Sequence, residues 1–146
     1  MKKVAVAKGF ATLAFLFAFL AVLPVVRADE RDQATRFTFS QPVEIPGRVL
    51  PAGTYWFQLA DTHDREIVQI LDEDRNLLAT VFAIRRQRHG NGDEVAITLA
   101  NRGAGQPEAV VAWFFVGETS GHELLYPKQV QRELARDKQD TLVFGD

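Results

Sequence analysis

Three histidines, His63, His89 and His122, each stand close to a carboxylate: Asp61 and Asp64, Asp93, and Glu123 respectively. Histidine and carboxylate groups are common zinc ligands and common acid–base partners. A metal centre needs three or four ligands brought to one point. No pair here has the local spacing of a metal motif, so a small metal-dependent or hydrolytic enzyme would have to gather them from separate loops. Exposed loop histidines need no such convergence. The triplet Asp72, Asp74 and Asn76 matches the opening of a calcium loop. That loop also wants a turn glycine at its sixth position and a bidentate glutamate at its twelfth. Leu77 and Ala83 stand there instead, so the triplet reads as a hairpin tip.

A second grouping is basic. Arg85, Arg86, Arg88 and His89 fall together where an apolar run meets a turn, and Arg102 is expected across the same hairpin. Guanidinium forks bind phosphate and carboxylate groups bidentately, so this end is the candidate site for an anionic ligand. The competing reading is a solvated hairpin end balanced by Asp93 and Glu94. Nucleophilic catalysis has little to work with. There is no cysteine, the serines are Ser40 and Ser120, and neither sits in a G-x-S-x-G elbow. The sequence implies no cofactor and no metal.

The elements that would position these groups follow a leader. Lys2, Lys3 and Lys8 precede an apolar stretch over residues 10–23, then Pro24 and the small-residue pattern Val26-Arg27-Ala28. This predicts a secretory signal peptide over residues 1–28, cut after Ala28. Of the 17 basic residues, Lys2, Lys3, Lys8 and Arg27 lie in that leader, which leaves 13 against 19 acidic residues, a net charge of −6. Such a balance argues against nucleic acid as a partner. The expected product is a periplasmic or secreted bacterial protein with no later membrane span. Without cysteine its stability rests on its core, not on disulfides.

Residues 29–34 are polar and expected to be a flexible N-terminus; the domain is expected over 35–146. Short runs then alternate with turn chemistry, the pattern of an all-β fold. Strands are expected over 36–40, 54–60, 66–71, 77–88, 94–100, 109–118 and 123–126, with 43–50 at most one edge strand. The turn at 89–93 is the clearest hairpin signal, because glycine and asparagine accept positive φ. Pro127 and the apolar spacing of Val130 and Leu134 predict a helix over 128–137, followed by an extended piece over 141–144. The sum is a single antiparallel β-sandwich of about seven to eight strands with a short C-terminal helix.

One strand breaks the alternating pattern. Val110, Val111, Ala112, Trp113, Phe114, Phe115 and Val116 run without a polar residue, so both faces need cover. The helix and C-terminal tail are the nearest cover. A partner surface at Trp113 and Phe115 is the alternative, since an exposed patch of that size is unusual on a monomer. Trp56 and Trp113 are also possible platforms for sugars, with core filling the commoner use.

The segments FTFSQPVEIPGRVLPAGTYWFQL, IVQI, LLATVFAI and AWFFVGETSGHELLYPK occur in that order. In this pattern the chain resembles a family of small exported bacterial β-sandwich proteins of unknown function. LPAGTYWFQL is similar, more loosely, to the late strand of transthyretin-like and carboxypeptidase-regulatory-like sandwiches. Neither resemblance implies an activity or a catalytic residue. The expectation is therefore an exported, non-enzymatic binding or structural module of the cell envelope, whose partner is an envelope protein or an anionic ligand.

Overall fold

The computed structural model describes residues 34–60, 63, 66–90 and 92–144. The expected signal peptide and residues 29–33 lie outside the described residues. Ala34 already belongs to the first strand. Ten strands and one helix follow: β1 (Ala34–Phe39), β2 (Val43–Ile45), β3 (Arg48–Leu50), β4 (Gly53–Leu59), β5 (Ile67–Leu71), β6 (Leu77–Gln87), β7 (Val95–Asn101), β8 (Glu108–Phe114), β9 (Ser120–Leu124), α1 (Lys128–Leu134) and β10 (Lys138–Phe144). The all-β class with a short C-terminal helix is thus as the sequence predicts. Among the described residues no helix is long and apolar enough to cross a membrane.

The extra strands have local causes. Residues 43–50 form a hairpin, not one edge strand, with Val43 opposite Leu50 and Ile45 opposite Arg48. Pro46 presets the turn, and Gly47 takes φ of 86° at the position where only glycine is unstrained. Residues 141–144 are the second half of β10, whose seven residues all pair with β7. The helix stops at Leu134, short of the expected 137, because extended pairing begins at Lys138. Three N–H groups close its end: Ala135 to the Gln131 carbonyl, and Arg136 and Asp137 to that of Glu133.

The strands make one open, mixed sheet. Its path runs β1-β4-β5-β6-β9-β8. β8 carries β7 on one flank, with β10 beyond; its other flank is shared by β9 and a short parallel pairing with β2. The parallel pair is a departure from the expected all-antiparallel sheet. β6 is the long shared strand. Its first half pairs β5, ending at Phe82 opposite Ile67; its second half pairs β9 from Ala83 opposite Leu124. The sheet therefore folds over at Phe82–Ala83, and its two halves face each other. Phe57 and Trp113 meet edge to face at 6.2 Å, Phe37 and Phe144 at 5.7 Å. The Trp113 indole N–H donates to Thr35 Oγ1 at 3.0 Å, satisfying the one polar atom the ring buries.

The two-sided apolar run in β8 now has an explanation. Trp113 faces the opposite half of the sheet. Ala112 and Phe114 face the other way, together with Ala96, Thr98, Gly121 and Glu123, their cross-strand partners and near neighbours. Most of these are small, which lets covering chain lie close. The helix supplies cover through buried Leu134 and half-buried Val130. Polar ties hold it there: Gln131 Nε2 donates to Glu123 Oε1 at 3.0 Å, and Gln139 Nε2 to the Leu134 carbonyl at 2.9 Å. Burying a Leu and half a Val is worth roughly 2–4 kcal/mol, enough to hold a seven-residue helix that would not persist alone.

Candidate functional site

The expected basic end is dispersed. β6 and β7 are not neighbours, because β9 and β8 lie between them, so they do not form a hairpin. Arg86 leans on the back face, 3.5 Å from Glu123 Oε2 and 3.3 Å from Gln139 Oε1. Arg88 donates to the Glu94 carbonyl and lies over the Phe114 ring. Arg85 and His89 remain solvent-exposed. Arg102 directly follows β7 at the opposite end from this turn, six residues and roughly 20 Å beyond Ala96 at strand spacing. The expectation that it joins Arg85, Arg86 and Arg88 is therefore corrected: antiparallel β7 carries it away.

Arg102 has a different task. Its two terminal nitrogens donate to Glu44 Oε2 at 2.6 Å and Glu133 Oε2 at 2.7 Å, joining β7 to β2 and α1. The Glu44 hydrogen bond raises the guanidinium pKa further, against the opposing effect of burial. Tyr126 reinforces the same corner. Its hydroxyl contacts the Val110 carbonyl at 2.8 Å and the Glu44 carbonyl at 3.1 Å. Burial, with Glu44 nearby, pushes the phenol well above its usual value, so it remains a donor.

Trp113 is not a surface residue; it is fully buried, which corrects the expected partner surface there. Phe115 is half-buried and stacks on His122 at 5.7 Å. Trp56 does face outward, but the Arg75 guanidinium covers its ring at 3.7 Å. Among the described residues no three histidine or carboxylate groups converge on a metal position. His122 lies in β9, not in the loop expected for it, while His63 and His89 sit in loops. Asp61 and Asp64 lie outside the described residues. The Asp72 triplet is a hairpin tip between β5 and β6. Asp72 spends both oxygens on Asn76, accepting from its N–H at 2.8 Å and its side-chain amide at 2.9 Å; these bonds hold the carboxyl below its usual range.

What the sequence did not single out is a cleft. It opens where the end of β1, the β2–β3 hairpin, the loop before β8 and the middle of β10 meet, with a volume of about 770 Å³. Phe39, Val43, Val49, Leu99 and Leu142 give it an apolar floor. Glu108 is its one titratable lining residue; the remaining polar lining comes from Ser40, Gln41, Gln106 and Thr38. A faint signal was present. Gln41-Pro42 and Gln106-Pro107 are two X-Pro breaks, and the parallel pairing of Val43 with Glu108 brings both to one end of the sheet. That pairing joins strands about 65 residues apart, beyond any local pattern. Set against known proteins, the chain matches no family model, no curated protein and no solved structure.

Proposed function

We propose that this chain is an exported, non-enzymatic binding module of a bacterial cell envelope, and that the cleft between Phe39 and Leu142 is where it binds. The cleft carries the reading. Its volume falls in the range of small-ligand sites, which are concave, mostly apolar and edged by a few polar groups. Its lining offers shape and apolar contact, and one carboxylate without a second titratable group to share proton transfer. Export rests on the leader pattern in residues 1–28.

The test is thermal unfolding of the protein recovered after export of the full chain from a bacterial host. Octanol serves as a neutral apolar probe; zinc and calcium are added in parallel, with and without chelator. At 100 times its dissociation constant a ligand adds about 2.7 kcal/mol, a readily visible rise in Tm. Octanol should raise Tm in the parent protein and not in Leu142→Trp, where the indole fills the cleft. A chelator-sensitive rise with zinc, lost on replacing two histidines, would instead favour the metal-dependent enzyme.

A further inference from the structure

We infer that the cleft selects a cationic amphiphile, an apolar body carrying an ammonium group, with the cation placed at Glu108. This inference rests on the binding reading above and adds the charge of the ligand. The argument is one of complementarity. Glu108 is exposed at the start of β8, and its side chain makes no hydrogen bond or ion pair among the described residues. Among the described residues, cations of three neighbouring segments are turned to other partners. Arg48 of β3 donates to the Leu78 carbonyl at 2.7 Å. Arg102 is held between Glu44 and Glu133. Lys138 of β10 lies 3.4 Å from Asp140 of its own strand.

An anionic amphiphile entering the cleft would meet no guanidinium or ammonium in its lining, and would approach a carboxylate. A cationic one would lay its apolar body on Phe39, Val43, Leu99 and Leu142 and meet the one charged side chain of the lining. The excess of acidic residues in the chain beyond residue 28, 19 against 13, pulls in the same direction at longer range. Because Glu108 is exposed, its preference is modest; a solvated ion pair of this kind corresponds to about threefold to fivefold in affinity.

The experiment compares octylammonium, octanol and octanoate at neutral pH and low salt, by calorimetric titration of the exported protein. The variants are Glu108→Gln, Leu142→Trp and Val49→Trp, the last two at half-exposed positions. The expected order is octylammonium tightest, octanol next and octanoate weakest. Glu108→Gln should bring octylammonium level with octanol and leave octanol unchanged; both tryptophan variants should weaken all three. Octanoate binding as well as octylammonium, or a cation preference that survives Glu108→Gln, overturns the charge assignment and leaves the binding reading standing. Absence of binding by all three probes, or binding untouched by both tryptophan variants, overturns the cleft as the site and the charge assignment with it.

Discussion

Replacing Gly121 with alanine is expected to cost about 3 kcal/mol, at the top of the range for one added methyl in a packed interior. Gly121 lies in β9 on the back face, beneath the Phe114 ring. A Cβ there would overlap Phe114 Cδ1, stand 2.5 Å from the Trp113 carbonyl oxygen and 2.7 Å from Phe114 Cε1. Real Cβ atoms keep at least 3.0 Å, so the carbonyl would have to retreat by about 0.5 Å. It is backbone of β8, the neighbouring strand, whose Trp113 pairs with His122 next to Gly121. The ring cannot move freely either, because Arg88 lies over it. Urea unfolding should show a lower midpoint with an unchanged slope, and Tm should fall by about 10 °C. In a Phe114→Ala background two of the three overlaps disappear, so the cost of the added methyl should drop and not vanish. A Gly121→Ala protein within about 0.5 kcal/mol of the parent would refute the close approach of β9 to β8 on which the reasoning depends.

Three further perturbations test the rest of the scaffold. Tyr126→Phe removes the donor shared by the Val110 and Glu44 carbonyls and should cost about 1–2 kcal/mol in urea unfolding. Arg102→Met leaves Glu44 and Glu133 facing each other without their cation; a loss of about 1–3 kcal/mol is expected. Glu44→Gln in the same background should recover part of it. Asp72→Asn tests the hairpin tip through pH. The folded carboxyl titrates below its unfolded value, so its contribution is present above the unfolded pKa and lost as pH falls through the folded one. The Tm difference between parent and variant should therefore be present near neutral pH and shrink toward about pH 3. A difference that is constant across that span would remove Asp72 as its source.

Local chemistry made much of the fold legible. RFTF and TYWF alternate, and the structure buries Phe37, Tyr55 and Phe57 as that period requires. The Asp72–Asn76 tip is a hairpin because an aspartate can bond the chain four residues on, a property visible in the sequence. Pairing between distant strands was not legible. The Gly-Asn-Gly run after His89 has hairpin composition, yet the strands on either side do not pair, because turn residues fix local φ and not which strand comes next. Arg102 was misplaced for that reason. Trp113 could not be assigned to core or surface from β8 alone; Thr35, 78 residues earlier, supplies the acceptor that lets the indole be buried. The cleft was hidden in the same way, since its walls come from segments around residues 38–49, 99–108 and 142.

The sheet has three open borders, β1, β3 and β10, and two of them are the first and last of its strands among the described residues. β1 must meet residues of β8 before Trp113 is shielded, and β7 stays an open edge until β10 has left the ribosome. Emerging chain therefore has little to close upon. Contacts this far apart in sequence form slowly, in milliseconds to seconds for sheets dominated by distant pairing. Without β10 the free edge of β7 has no partner along its seven residues, so the pairing of the sheet is complete only when this last seven-residue strand is in place.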